Sequence, residues 1–540
     1  MAKLPKLPIG IQTFDTIRKE GYLYVDKTKY LVDLIDNGKV YFLSRPRRFG
    51  KSLTVSTFDA LFSGKRELFK GLCAEEFCSR PEYKTYPVIR LDMSSITTDM
   101  GPDALRTSLL YRIKDNADRL GVDTGAALPG DAFFSLMNDT ARKYNTPAVV
   151  LIDEYDKPIL DNIHDLEKAA SARDILRNFY VRIKAADASL RFVFLTGISK
   201  FTKTGVFSAL NSLEDISMDK PYSTMLGYTD TELLSNFDSY IDEVAADKKE
   251  SKAAIIEQLQ NYYDGFSFDG ENRLYNPFST LNFFKKKEFR NYWFESATPS
   301  ALVEYVKRHD LEVESFRGLE VPENFTSMTE IEHASPESFL FQSGYLSVRE
   351  KRERKLILDY PNMEVLSSVA DLFLWGKAEA AGIGVAPVDL EEYLARGDAE
   401  GLVKVYNALL ASIPYDIYER EERKYARDKK ESYAPAPFAE SFYHALLYTL
   451  LWSSRVNTIA ENHSYWGRSD IEAEKNGYHF VIELKVTECE EAAKASAGEA
   501  MRQIREKGYA DKYAETGVVM IALAVDGEKR RVAEYVIERL

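Results

Sequence analysis

The sequence predicts an α/β protein in three parts: a parallel sheet with helices on both faces, a helical lid or middle region, and a smaller C-terminal α/β domain. Three observations lead there. From Val40 to about Ser217, short apolar runs alternate with helical patterns, the order that buries a parallel sheet between helices. Between the first run, Val40-Tyr41-Phe42-Leu43, and a near-helical pattern from Leu53 stands Gly50-Lys51-Ser52, the closing half of a phosphate-binding loop. Beyond Ala434-Pro435-Ala436-Pro437, a helix-strand-strand-helix-strand order fills the rest of the chain.

At 540 residues the chain exceeds one ordinary core, and the expected division is 1–228, 229–350, 351–433 and 434–540. Hydrophobic residues make up 45% and charged residues 29%, the balance of a folded globular protein. A net charge of −14 argues against wholesale attraction to nucleic acid or anionic membrane, while leaving room for a local basic groove. Cys73, Cys78 and Cys489 are too few for a disulfide framework and lack metal-ligand spacing. The longest apolar runs, Ala445–Trp452 and Val518–Val525, are too short to cross a bilayer, and the opening residues lack the apolar core of a signal peptide. The expectation is a soluble cytoplasmic protein with no membrane partner.

The strands expected in the first part are Tyr41–Ser44, Val88–Met93, Ala148–Ile152 and Arg191–Thr196. From Thr229 to about Arg349 the pattern is mostly helical, punctuated by Tyr262-Tyr263-Asp264-Gly265-Phe266 and Tyr275-Asn276-Pro277-Phe278. A charged run, Arg349–Lys355, precedes a strand-like Leu356–Leu358. Residues 365–430 read as helices with breaks at Gly382-Ile383-Gly384 and Pro387, and Glu419–Lys430 reads as an exposed helix or connection.

A standard phosphate loop reads G-x-x-x-x-G-K-[ST], and position 45 holds Arg where that pattern needs Gly. The strand-turn-helix context is nonetheless the one the chemistry requires, because free N–H groups and the positive dipole end at a helix start hold phosphate oxygens. Lys51 would reach the β- and γ-phosphates of ATP, and Ser52 would ligate Mg²⁺. Ala148–Ile152 ends in Asp153-Glu154, two acids beside the loop of the neighbouring strand. Asp153 would hold the Mg²⁺ and Glu154 would polarise the attacking water; the bland alternative is that both acids only cap the next helix. Thr196 or Ser199, at the end of the fourth strand, would sense the γ-phosphate, unless this is a plain strand exit. Arg45, Arg47 and Arg48 would contact phosphates or the lid, or simply lie on the surface. With Arg at 45 and Pro46 stiffening the turn, the loop needs its own geometry.

The segments Leu7-Pro8-Ile9-Gly10-Ile11-Gln12, Tyr24-Val25-Asp26-Lys27-Thr28, Arg45-Pro46-Arg47-Arg48-Phe49-Gly50-Lys51-Ser52-Leu53-Thr54, Leu151-Ile152-Asp153-Glu154-Tyr155-Asp156 and Thr196-Gly197-Ile198-Ser199-Lys200 resemble the bacterial AAA-ATPase-like family. Tyr263-Asp264-Gly265-Phe266 and Asn276-Pro277 extend the resemblance, which covers about residues 5–300. It implies a P-loop NTPase sheet followed by a helical lid, and it makes Arg45 usual for the family. The cofactor-binding residues it implies are Arg45 through Leu53, Asp153 and Thr196, with Ser52 and Asp153 on the metal. By analogy Tyr24–Thr28 would lie near the adenine.

In the last part, Gly467-Arg468-Ser469-Asp470-Ile471 and Tyr478–Val486 flank Glu474-Lys475-Asn476-Gly477, a strong hairpin turn signal. Glu483 and Lys485, two apart on a strand, share a face, and the hairpin brings Asp470 beside Glu483. Two such carboxylates bind a hard divalent cation, and a nearby lysine stabilises charge on a phosphate: the parts of metal-assisted phosphodiester hydrolysis. Alone, Asp…Glu-x-Lys is a weak pattern. A helix Phe438–Leu451 carrying Glu440, a helix Ala497–Lys507 carrying Gln503 and the strand Val518–Val525 complete an order that resembles the PD-(D/E)XK nuclease superfamily, a restriction-endonuclease-like fold. That resemblance implies catalytic Glu440, Asp470, Glu483, Lys485 and Gln503, with Asp470 and Glu483 holding Mg²⁺ or Mn²⁺. His463 and His479 are better read as hairpin or surface residues than as ligands. The implied partner is nucleic acid, DNA before RNA, and a role in mobile-element biology or defence; a homo-oligomer is left open. The alternative is an ATP-dependent switch whose C-terminal domain binds nucleic acid or protein without cleaving.

Overall fold

The computed structural model describes residues 4–98, 101–163, 165–199, 212–297, 314–326, 335–379, 388–412, 440–454, 456–464, 467–487, 489–510, 513 and 517–540. The chain divides into two compact units, Met1–Glu304 with Phe316–Glu364, and Tyr305–Ser315 with Val365–Leu540. The expected breaks at 382–384 and 387, the charged stretch 419–430 and the linker 434–437 lie outside the described residues.

In the first unit, β1 (Val40–Ser44), β2 (Val88–Asp92), β3 (Ala148–Asp153), β4 (Leu190–Gly197) and a short β5 (Glu214–Asp215) form a parallel sheet in the order β2-β3-β4-β1-β5. All four expected strands are present. β1 and β3 are buried along their whole length, which is why they read as unbroken apolar runs rather than alternating ones. The order carries one correction. β4 lies between β1 and β3, so the acids that end β3 are not on the strand next to the phosphate loop. Parallel registers Ser44↔Gly197 and Asp92↔Asp153 bring the strand ends to one edge of the sheet. The helix Lys51–Phe62 packs behind that edge, with the Phe58 ring 5.1 and 4.9 Å from Phe192 and Phe194 of β4.

The helices Asp230–Lys248, Lys252–Tyr263 and Pro277–Lys286 form the helical region, and their starts have explicit causes. Thr229 and Glu232 make a reciprocal capping box, and the Asn276 side chain accepts from the N–H groups of Phe278 and Ser279, with Pro277 pre-set for the first turn. Phe237, Ile241, Leu259, Tyr263, Phe283 and Phe284 bury against one another and against Val25. The same unit holds a three-stranded antiparallel sheet of β6 (Leu319–Pro322), β7 (Ser347–Arg352) and β8 (Lys355–Asp359), ordered β6-β8-β7. The expected boundary at 350/351 therefore falls inside a β-hairpin. The charges of Arg349–Lys355 mislead because most of β7 and its turn are exposed and show no alternation.

In the second unit, β9 (Asn457–Ser464), β10 (Gly467–Lys475), β11 (Tyr478–Thr487), β12 (Gly517–Asp526) and β13 (Arg531–Arg539) form a mixed sheet ordered β13-β12-β11-β10-β9, with β11 and β12 parallel. The expected hairpin is there. Asn476 (φ 50°) and Gly477 (φ 80°) make the two-residue turn between paired Lys475 and Tyr478. β9 and β13 extend the predicted order. The helix expected at Ala497–Lys507 runs Glu490–Glu506, its first turn stabilised by Glu490 and Glu491 against the helix dipole. The helix carrying Glu440 is described over Glu440–Ser453.

Helices Val388–Ala395 and Ala399–Ser412 belong to this unit rather than to a separate connecting region. Asn407 Oδ1 accepts from the Val532 N–H at 2.7 Å, and Lys475 pairs with Glu391 at 2.9 Å. Among the described residues no helix is long and apolar enough to cross a membrane.

Gly265 tests the helical region. It sits at φ +104°, and a Cβ there would fall 1.9 Å from the carbonyl oxygen of Pro361. Gly265→Ala is expected to cost roughly 2–4 kcal/mol of unfolding free energy in a urea titration, from backbone strain plus overpacking.

Candidate functional site

The loop after β1 divides its residues between two tasks. Arg45 is 1% exposed and turned into the protein, where Nη1 donates to the carbonyls of Ser44 (2.9 Å) and Ser217 (2.6 Å) and Nη2 to that of Tyr222 (3.1 Å). Its guanidinium lies 3.9 Å above the Phe268 ring. Burial pulls its pKa down to about 9 against the opposing charges of Asp215 and Asp269. Arg45 is thus a strut, which corrects its placement among the cofactor-binding residues. A guanidinium this deeply buried persists only where carbonyls satisfy it. Pro46 and Phe49 are anchors too. Phe49 is buried edge-on to Phe266 at 4.9 Å, and a Cβ on Gly344 would meet the Pro46 ring at 2.5 Å.

The rest of the loop faces the phosphate task. Gly50 (φ 98°) opens the helix Lys51–Phe62 with no side-chain cap, so the N–H groups of its first turn remain for an anion. Lys51 Nζ donates to the carbonyls of Arg45 (2.9 Å) and Pro46 (2.8 Å). Its pKa is lowered by burial, with Glu154, Asp153 and Asp156 opposing. Arg48 adopts φ 65° and stacks 4.9 Å from Phe278. The carbonyl of Arg47 accepts from Trp293 Nε1 at 2.9 Å.

Asp153, 3% exposed, lies beside the Ser52 hydroxyl, and burial raises its pKa although Ser52 and Lys51 oppose the rise. Its Oδ1 has no hydrogen-bond partner among the described residues. An orphaned carboxylate oxygen beside a serine hydroxyl at the end of a phosphate loop fits a hard cation such as Mg²⁺. Glu154 takes φ 52°, and its pKa is also raised by burial.

Neither candidate phosphate sensor is free. The buried Thr196 hydroxyl donates to the Leu43 carbonyl at 2.9 Å, tying β4 to β1, so the cofactor-binding assignment of Thr196 is corrected. The Ser199 hydroxyl donates at 2.6 Å to Asp156 Oδ2, which also accepts the N–H groups of Ile198 (3.0 Å) and Ser199 (2.7 Å). Asp156 stands in the family-like motif, but only the fold shows that it shapes the exit of β4. Lys200 lies outside the described residues.

A cavity of about 310 Å³ opens at this edge. Polar Arg47, Lys51, Ser52 and Glu154 line it together with apolar Pro8, Ile11, Tyr228, Phe278 and Leu281. Tyr24–Thr28 do not line it, contrary to the adenine-side expectation. Tyr24 packs 5.2 Å from Phe14, Asp26 accepts from the N–H groups of Thr28 and Cys73, and Lys27 pairs with Glu232 at 2.6 Å. Pro8, Gly10, Ile11 and Gln12 line it instead, from the first of the family-like segments.

In the second unit the hairpin sets Asp470 opposite Glu483. The Asp470 N–H lies 3.4 Å from Glu483 Oε2, and the Leu484 N–H donates to Asp470 Oδ2 at 2.9 Å. Glu483 is fully buried, and burial together with the Asp470 charge pushes its pKa up to about 7. Gln503 Nε2 donates to Glu483 Oε1. Lys485 Nζ lies 3.7 Å from Glu483 and 3.4 Å from Glu440. Burial pulls the Lys485 pKa down, but the carboxylates of Asp470, Glu440 and Glu483 outweigh it and hold the ammonium above its ordinary value.

All five residues expected from the sequence meet here. His444, unmarked by any sequence signal, joins them through a 2.9 Å hydrogen bond between Nε2 and the Asp470 carbonyl. His479 stacks on Tyr513 at 4.1 Å; the His463 side chain lies outside the described residues. Among the described residues no group of three or more His, Cys, Asp or Glu is arranged to hold a metal. Two facing carboxylates still suit a hard cation that keeps several of its waters.

Two family models match the chain, one over each of these regions. A family model described as a predicted AAA-ATPase matches residues 8–207, and one described as the PD-(D/E)XK nuclease superfamily matches residues 438–535. The chain belongs to the AAA-ATPase-like family and carries a C-terminal PD-(D/E)XK domain. It is 35% identical over 544 residues to an uncharacterized protein in the vnfD 5′ region of Azotobacter chroococcum mcd 1, covering 99% of each. It is also similar to the ORC2 protein of Aeropyrum pernix, solved as ADPNP and ADP complexes. That likeness covers 69% of this chain and 97% of the other at 11% identity, and a TM-score of 0.25 carries no argument.

The raised pKa of Glu483 has a consequence for stability. Its folded-state value lies above the unfolded one, so the folded state binds the extra proton between pH 4.5 and about 7. Stability from this group is complete below that window and lost as pH rises through it. In EDTA, the urea midpoint of the C-terminal unit is expected to fall across that range in wild type and to flatten in Glu483→Gln.

Proposed function

We propose that this AAA-ATPase-like protein binds and hydrolyses ATP in its first unit and that its C-terminal domain hydrolyses nucleic-acid phosphodiesters, DNA before RNA. The observation that carries the nuclease reading is the setting of Glu483: fully buried, facing Asp470, held by Gln503 and 3.7 Å from Lys485. Burying a carboxylate beside another carboxylate is costly unless a cation or proton offsets it.

At the first site Lys51 would leave the loop carbonyls for the β- and γ-phosphates, and the first-turn N–H groups would hold phosphate oxygens. Glu154, which lines the cavity and whose pKa burial raises, would take a proton from the attacking water. Mg²⁺ held by Ser52 and Asp153 would supply neutralisation of phosphate charge. At the second site Lys485 would orient the water and offset charge on the phosphate, while Gln503 and Glu440 keep Glu483 and Lys485 in place. A divalent cation on Asp470 and Glu483, Mg²⁺ or Mn²⁺, would supply Lewis-acid activation there. ATP turnover would regulate cleavage.

One observation favours a second reading, an ATP-driven switch that binds without cleaving. Arg505 is paired with Glu538, and Lys529 and Arg531 with Glu490, so these cations are already engaged.

The test uses linear and circular DNA, and RNA, with Mg²⁺ or Mn²⁺ and with or without ATP. Lys485→Ala is expected to lower cleavage at least about 100-fold and leave ATP hydrolysis intact. Lys51→Ala is expected to abolish hydrolysis. Cleavage that survives Lys485→Ala removes the nuclease assignment, and no cleavage in wild type leaves the switch.

A further inference from the structure

The phosphate loop carries three arginines, and the structure gives them three different fates. Arg45 is buried on backbone carbonyls, and Arg48 is exposed at the cavity, its guanidinium stacked on Phe278. Arg47 is half-buried and lines the same cavity as Lys51, Ser52 and Glu154. Among the described residues its guanidinium has neither a hydrogen bond nor an ion pair, although the cavity contains Glu154. Its charge is nevertheless felt at Lys51.

Resting on the ATPase reading, we propose that Arg47 is a catalytic residue: the chain's own arginine for stabilising charge on the γ-phosphate during transfer. Three features support this. An uncommitted guanidinium in a phosphate-loop cavity can offer two parallel N–H groups to two phosphate oxygens, which an ammonium cannot do. Charge spreads over the equatorial oxygens as the γ-phosphoryl group departs, and a cation fixed beforehand stabilises that state without reorganising. The Arg47 backbone is anchored beside the site, so only its side chain has to settle on the phosphate. Trp293 Nε1 holds its carbonyl at 2.9 Å, and Glu364 Oε1 holds the Trp293 N–H at 2.8 Å and the Ser279 hydroxyl at 2.9 Å. The helical region thereby positions an arginine of the loop, and the site does not require one from a neighbouring chain.

The experiment measures ATP hydrolysis by the full chain over about a hundredfold range of protein concentration, for wild type, Arg47→Ala and Arg47→Lys. Fluorescent-nucleotide titration gives Kd, and capture of ADP with aluminium fluoride reports the transition-state geometry. Expected are turnover per chain independent of concentration and a kcat loss of about 10³-fold in Arg47→Ala with Kd changed less than about threefold. Loss of aluminium fluoride capture and poor rescue by Lys are also expected. The proposal is overturned by a kcat within about threefold of wild type, by a loss confined to Kd and KM, or by specific activity that climbs with concentration. If wild type does not turn over ATP, or Lys51→Ala still does, the ATPase reading itself fails, which is a separate outcome.

Discussion

The first unit depends on the burial of one guanidinium. Arg45 follows β1, and its donors take the carbonyls of Ser44, Ser217 and Tyr222 while its plane rests on Phe268. The strand end, the segment after β5 and the aromatic turn of the helical region thereby become one solid piece. The residues that follow inherit its position. Phe49 wedges against Phe266, Trp293 clasps the Arg47 carbonyl, and Gly50 turns the chain into a helix that starts without a side-chain cap. A glycine at position 45 would allow a tight turn but would supply none of these ties. The loop trades backbone freedom for attachment to the helical region.

Both candidate sites are built on buried carboxylates whose charge burial disfavours. Asp153 has an orphaned oxygen beside Ser52, and Glu483 sits fully buried opposite Asp470. Neither arrangement contributes stability in its ionised form, since desolvation outweighs the neighbouring attraction. Proteins keep such groups where a ligand or cation completes them. The nuclease-type site adds a graded support: Gln503 grips Glu483, while Glu440 steadies Lys485 from the helix above the hairpin.

Much of this was legible in the sequence, and the failures share a cause. The four long parallel strands, the Asn476-Gly477 turn and the pairing of Asp470 with Glu483 and Lys485 follow from local patterns, because periodicity and turn chemistry are local properties, whereas Glu440 and Gln503 were implied by the superfamily resemblance. Strand order is not local. Nothing in the sequence places β4 between β1 and β3 or adds β13 to the second sheet. The charged Arg349–Lys355 run looked like a boundary because an exposed β-strand and its turn show no alternation. Thr196 and Ser199 looked free because their acceptors, Leu43 and Asp156, are distant in sequence.

By itself the sequence determined which residues could do chemistry: Lys51, Ser52, Asp153 and Glu154 in one half, Asp470, Glu483 and Lys485 in the other. It also determined the strands and turns that carry them, since these follow from side-chain spacing along one segment. Only the tertiary structure decided what each arginine of the loop does. Residue type and position are nearly the same for Arg45, Arg47 and Arg48, and the difference lies in what reaches them from elsewhere in the chain. Carbonyls of Ser217 and Tyr222 take Arg45, Arg48 lines the cavity stacked on Phe278, and Arg47 lines the same cavity with no partner for its guanidinium among the described residues.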